Sequence, residues 1–223
     1  MAQTENPSRE RILERIRTGL RTPVAEPAAM RSESEIFEPI IFGPIVNPLE
    51  RFQQECVANL MECVLTADCA ASAQQLSKVL ESLPEGETFV QDDPSLRRLI
   101  QLAAPGRTIG WSSQGPPPEG SQATVTLAAA LIAQTGSILV TASCAGRGAS
   151  VIAPCHIVYA TVTQLVPDLA TALSHMSQQR SLDHNSFACV ISGSSRTADI
   201  EKILVQGAHG PRRLVVILQT STY

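Results

Sequence analysis

The chain is predicted to be an α/β protein whose largely parallel sheet is made mixed by one hairpin, carried behind an N-terminal extension. Three observations predict this. From residue 48 on, short apolar runs alternate with amphipathic stretches of about ten residues, the pattern of right-handed βαβ units. Between Gly120 and Gly146 no residue is charged. The purely apolar run there, residues 127–133, is far short of the roughly 20 residues a membrane span needs, so the stretch reads as buried sheet strands. Finally, 223 residues at 43% apolar and 17% charged supply enough apolar surface for a core that needs neither disulfides nor metal.

Taken in order, residues 7–21 read as a helix. Pro7 stands at its start, and Ile12, Leu13, Ile16 and Leu20 recur at one-turn spacing among arginines and glutamates. So short a helix is marginal alone, and its stripe is expected to dock on something. Residues 22–48 carry Pro23, Pro27, Pro39, Pro44 and Pro48 without sustained periodicity, a linker with a short strand near 40–42. The division is therefore an N-terminal helix over 1–21, a Pro-rich linker over 22–47 and an α/β domain over 48–223. Within that domain, 49–59 is helical, 61–66 a strand, 71–83 a helix, 87–91 a strand, 95–103 a helix and 108–112 a strand. Gly115-Pro116-Pro117-Pro118 is a hard break.

Over residues 123–142 three short apolar runs are separated by turns, most sharply at Gln134-Thr135-Gly136-Ser137, where Gly136 can take a positive φ. A hairpin at that point would make the sheet mixed. A loop over 143–150, a strand over 155–161, a helix from Thr163 to about Ser177 and a polar stretch over 178–185 follow. The chain closes with a buried strand over 187–192, a glycine-rich connection through Gly210-Pro211 and a last strand over 214–219.

Charge excludes some functions. With 17 basic and 21 acidic residues the net charge is −4, so no positive surplus exists to displace counterions from nucleic acid or to hold anionic lipid. Cys56, Cys63, Cys69, Cys144, Cys155 and Cys189 form no Cys-x-x-Cys pair, so neither a zinc ribbon nor a ferredoxin cluster is encoded, and no metal or cofactor is expected. The opening Met-Ala-Gln-Thr-Glu, with charges recurring through Arg21, is unlike a secretory signal. Buried free thiols in a cytoplasmic protein are expected.

Three segments are candidates for a binding site. Ser192-Gly193-Ser194-Ser195-Arg196-Thr197-Ala198-Asp199-Ile200-Glu201 follows a strand. Gly193 permits close backbone approach, Ser195 and Thr197 offer hydroxyls, and Arg196 offers a planar fork for carboxylate or phosphate, unless these groups merely cap a turn. In Gln206-Gly207-Ala208-His209-Gly210-Pro211, His209 is a proton carrier or ligand donor, or a hydrogen-bonded structural residue. Gln134, Thr135 and Gly136 form a polar triplet in an uncharged region; they line a pocket or make a tight turn. Arg147, between Gly146 and Gly148, is the first charge after a long uncharged stretch and suits an anion. Cys155 and His156 are adjacent on a strand and point to opposite faces, which argues against a thiol–imidazole pair.

At these segments the chain resembles a known family. Ile132-Ala133-Gln134-Thr135-Gly136-Ser137 is similar to the "IAETG" signature of the LUD domain, residues 191–201 to its "ISGPSRTADIE", and Gly207-Ala208-His209-Gly210-Pro211 to its "GVHGP". Order and spacing fit from about Pro48 to the C-terminus, and the lactate-utilisation protein C (LutC/YkgG) group is the part of the family resembled. Gln134 stands where the family has glutamate, Ser194 where it has proline and Ala208 where it has valine. The resemblance implies a three-layer α/β/α fold related to the sugar-phosphate isomerase and CoA-transferase (NagB/RpiA/CoA-transferase-like) group. It also implies a cluster-free accessory subunit in the oxidation of L-lactate to pyruvate, working beside iron–sulfur subunits; such a subunit would bind a small anion, the surface of those partners, or both. Ligand contacts are expected from Gln134, Thr135, Gly136, Arg147, Gly193, Ser195, Arg196, Thr197, Asp199, His209 and Gly210, and no catalytic residue is assigned. A stand-alone enzyme acting on a sugar phosphate or acyl-CoA, and a purely structural module, remain open.

Overall fold

Two units make up the chain, residues 1–44 and 45–223, and the computed structural model describes residues 7–21, 43–103, 106–179, 185–197, 205–206 and 210–221. In the first unit, α1 (Pro7–Arg21) carries an acidic residue in its first turn and a basic one in its last, as its dipole favours. Ile12 and Ile16, one turn apart, are exposed and Leu13 is half-buried. Residues 22–42 of the expected 22–47 linker, with the strand near 40–42, lie outside the described residues.

The second unit runs α2 (Pro48–Ala58), β1 (Glu62–Thr66), α3 (Cys69–Glu81), β2 (Thr88–Val90), α4 (Pro94–Ala103), β3 (Ile109–Trp111), β4 (Ala123–Leu127), β5 (Ala130–Ile132), β6 (Ser137–Thr141), β7 (Cys155–Thr161), β8 (Leu165–Val166), α5 (Leu169–Gln178), β9 (Ala188–Ile191), β10 (Arg196–Thr197), β11 (Val205–Gln206) and β12 (Arg213–Gln219). Local chemistry sets the helix starts. Pro48 occupies the first turn of α2, whose cap Asn47 accepts the Glu50 N–H at 3.3 Å, and Asp68 accepts the Ala71 N–H at 2.8 Å to open α3.

Six strands pair side by side in the order β1-β12-β7-β4-β2-β3, every pair parallel. The most apolar strands, β7 and β12, occupy the interior, as two-sided burial demands. The antiparallel pairing lies elsewhere: β8-β5-β6-β9 form a separate four-stranded sheet, and β10 and β11 a two-stranded ladder. The hairpin therefore starts a second layer instead of making the main sheet mixed. Ala128 and Ala129 turn the chain out of plane, and the Ala129 N–H already bonds Leu139 O at 2.8 Å.

Helices cover both faces of the parallel sheet. Leu76 and Leu80 of α3 and Leu96 and Leu99 of α4 pack on Val90, Val125, Ile157, Val215 and Ile217. On the other face, Phe52 and Cys56 of α2, with Leu131 and Ile138 of the small sheet, cover Val158, Val216 and Leu218. Ala172 and Met176 of α5 close the outside of the small sheet against Ile132 and Leu139.

Two expectations need correction. Residues 162–164 form a 3-10 turn, and Leu165–Val166 is a strand pairing Leu131 and Ile132. The helix begins only at Leu169, because Pro167 disfavours helical backbone at Val166 and Asp168 caps the first turn through the Thr171 N–H at 2.7 Å. The strand after residue 187 is an edge strand, half in water: Cys189 and Ile191 face the core while Val190 is 39% exposed.

Candidate functional site

The segments at 134–137, 192–197 and 210–211 are joined by contacts at the amino ends of the parallel strands. Gln134 and Thr135 form a 3-10 turn that ends at Gly136 in the left-handed region, φ 57°. Asn59, just before β1, donates its amide to Thr135 O at 2.8 Å, and Arg51 of α2 reaches Gln134 O at 3.5 Å. A Cβ on Gly136 would lie 2.6 Å from Glu55 Cβ and 2.9 Å from Cys56 N, so helix α2 rests directly on this glycine. The turn thus serves as the seat of α2; Thr135 is exposed and Gln134 half-buried.

From the turn a line of hydroxyls leads to the second segment. Thr135 Oγ1 lies 2.7 Å from Ser137 Oγ, which lies 2.7 Å from Ser192 Oγ. The chain then passes Gly193 at φ 111° and the buried Ser194, and the Ser195 N–H bonds Pro211 O at 2.9 Å. Ser195 also abuts Gly210, where a Cβ would stand 3.2 Å from Ser195 Cβ. Arg196 and Thr197 pair with Gln206 and Val205. Pro211 leads into β12, and the Arg212 N–H bonds Pro154 O at the entry to β7, which locates the cluster at the amino ends. Asp199 and His209 lie outside the described residues.

Arg147 sits elsewhere. Gln91, following β2, accepts the Leu127 N–H at 2.9 Å and donates to Ser143 O at 3.1 Å, holding the loop after β6 over the carboxyl ends of β2 and β4. A hollow of 480 Å³ opens there between the 112–117 turn and the 142–148 loop, with Arg147 in its lining. The guanidinium donates to Ser186 O at 3.1 Å and lies 5.5 Å from the Phe187 ring centre. Because β6 and β9 run antiparallel, with Thr141 beside Ala188 and Ile138 beside Ile191, Phe187 and Ser192 are at opposite ends of β9, about 16 Å apart at strand rise. Arg147 and the hydroxyl line therefore form two separate places.

A larger hollow, 640 Å³, lies at the amino ends of β2 and β3. Its Arg107 spends its donors on the carbonyls of Leu80, Leu83, Pro84 and Gly86, closing the end of α3, which is a structural task. Cys155 and His156 do face opposite ways. Cys155 packs on the α3–α4 side, its thiol pushed up to about 11 by burial. His156 is fully buried, its Nε2 2.9 Å from Thr126 Oγ1, and burial lowers it to about 4. Its Nδ1, like Thr124 Oγ1 on the neighbouring strand, has no partner among the described residues. The six cysteines are free thiols; Cys56 is pushed up by its hydrogen bond with Cys63 and by burial. Among the described residues no trio of His, Cys, Asp or Glu is placed to hold a metal, and no helix is long and apolar enough to cross a membrane.

Ser112 lies outside the segments singled out in the sequence, and Ser137 and Ser192 lie within two of them without being among the expected ligand contacts. The Gly115–Pro118 break was the available signal for the hollow, since so abrupt a turn after a parallel strand leaves space at its carboxyl end.

Residues 119–219 match the LUD domain model, a span from just before β4 to the end of β12 that holds the hydroxyl line and Arg147 but not the 112–117 side of the hollow. Lactate utilization protein C from a Geobacillus strain is 25% identical over 188 residues, 77% of this chain and 78% of its own length. The protein of that name from Macrococcus caseolyticus is 26% identical over 179 residues, 76% of this chain and 77% of its own. A crystal structure of a duf162 family protein from Deinococcus radiodurans shares the fold, with a TM-score of 0.58 at 19% identity over 78% of this chain and 96% of that one. With its parallel sheet, flanking helices and motif order, the chain matches the LUD domain over residues 119–219 and is similar to proteins named Lactate utilization protein C.

Proposed function

We propose that this chain is a cluster-free subunit of a cytoplasmic system that oxidises L-lactate to pyruvate, binding a small anion and working beside iron–sulfur subunits. The supporting observation is similarity over about three-quarters of the chain to proteins named Lactate utilization protein C. The chemistry is consistent with a divided task. Converting a 2-hydroxy acid to a 2-oxo acid removes two electrons and two protons, and the electrons need a redox group to receive them. This chain carries no Cys-x-x-Cys with which to hold a cluster, so the electron path is assigned to its partners.

Deleting the gene tests the reading. Growth on L-lactate should fail while growth on another carbon source is unchanged, and iron–sulfur proteins should co-purify with the tagged chain. Unimpaired growth on lactate, with no iron–sulfur protein recovered, would overturn it.

A further inference from the structure

We propose that the hollow at the carboxyl ends of β2, β3 and β4 holds a short 2-hydroxy or 2-oxo monocarboxylate, its carboxylate on Arg147 and its 2-oxygen on the Ser112 hydroxyl. The proposal rests on the reading of the chain as part of a lactate-oxidising system, which supplies the class of acid.

Its place is where open parallel sheets gather ligands, beyond the carboxyl ends of the strands. Its 480 Å³ falls within the usual range for small-molecule sites, roughly 300–1,000 Å³. Arg147 is the one charged residue in the lining. Its guanidinium is steadied by Ser186 O and the Phe187 ring, and among the described residues it meets no carboxylate. An arginine held by one contact and an aromatic face keeps further N–H donors for a carboxylate fork.

Ser112 Oγ accepts the Asp92 N–H at 2.9 Å, and no acceptor for its own proton is found among the described residues. That proton is available to a hydroxyl or keto oxygen. Backbone donors add to the set: the N–H groups of Arg147 and Gly148 have no acceptor among the described residues. Just before them the loop places two consecutive residues, Ala145 at φ 68° and Gly146 at φ 80°, in the left-handed region. For an alanine this conformation is strained, as is common where a loop is shaped around a site. The nearby Asp92 carboxylate is paired with Arg97 at 2.5 and 2.8 Å and accepts from the Ser113 hydroxyl, which offsets its charge toward an anion.

Calorimetric titration of the full chain with L-lactate, pyruvate, propionate and inorganic phosphate tests the site. Lactate and pyruvate should bind saturably, and Arg147→Ala should weaken both by at least about tenfold, the loss of charge-assisted hydrogen bonds. Arg147→Lys, which keeps the charge but not the fork, should fall between. Propionate, lacking the 2-oxygen, should bind several-fold more weakly than lactate, and Ser112→Ala should erase that difference. Circular dichroism spectra matching the wild type would establish that the variants fold. Absence of saturable lactate and pyruvate binding, an unchanged affinity in both Arg147 variants, or tighter binding of phosphate than of lactate would overturn the site. Lactate growth of the deletion strain keeps the two readings apart. A chain that restores growth yet binds neither acid overturns the site alone. A chain that binds both with the stated Arg147 and Ser112 dependence supports the site even if deletion leaves lactate growth intact.

Discussion

Acidification should destabilise the fold through His156, the fully buried histidine of β7. Burial carries it from its ordinary 6.5 to about 4, because the neighbouring strand offers only the uncharged Thr124 and Thr126 and no group to neutralise an imidazolium. Since the folded value lies below the unfolded one, the unfolded chain takes up the proton first. The contribution is complete above pH 6.5, is lost as the pH falls from there to about 4, and then levels off. At roughly 1.4 kcal/mol per unit the loss is about 3 kcal/mol, a fall in Tm of about 6–12 °C for a chain of this size. Urea unfolding at a series of pH values measures it, with His156→Gln as reference, since the Gln amide can keep the bond to Thr126 without titrating. The wild-type curve should steepen by up to one proton relative to the variant between those pH values. Parallel curves would refute the reasoning.

Other outcomes follow from the backbone. Gly136→Ala should cost about 2–4 kcal/mol, combining left-handed strain with the collision against Glu55 and Cys56, read as a lowered urea midpoint. Leu60→Gly should do the opposite. Leu60 is 57% exposed at φ 56°, so relieving it should stabilise by about 0.5–1 kcal/mol in the same assay. Asp68→Ala, which uncaps α3, should cost about 1 kcal/mol, with Asp68→Asn restoring most of it.

Much of the fold was legible because periodicity is local. The strand over 155–161 and the helix over 7–21 were bounded as the structure has them, since their apolar positions and flanking prolines carry the signal themselves. The start of α5 was misplaced because Leu165 and Val166 suit a helix as well as a strand; only their pairing with Leu131 and Ile132 decides. The edge position of β9 was equally hidden, because four apolar residues look the same with one neighbour as with two. Within the site, Gly136 was marked as a turn glycine, but nothing in the residues nearby told that a helix 80 positions earlier rests on it.

Residue order alone determined that this is an α/β chain, that Gly136 is a turn glycine able to take a positive φ, and that hydroxyls and arginines concentrate in particular segments. Tertiary structure decided which ends of the sheet those segments reach. Asn59 and Thr135 are 76 residues apart, Ser137 and Ser192 are 55 apart, and such meetings depend on strand order and register. The direction of one strand, β9, places its Ser192 end at the amino ends and its Phe187 end, with Arg147, at the carboxyl ends. Side-chain chemistry is written in the sequence, whereas the distance between two groups is set by the path of the backbone between them.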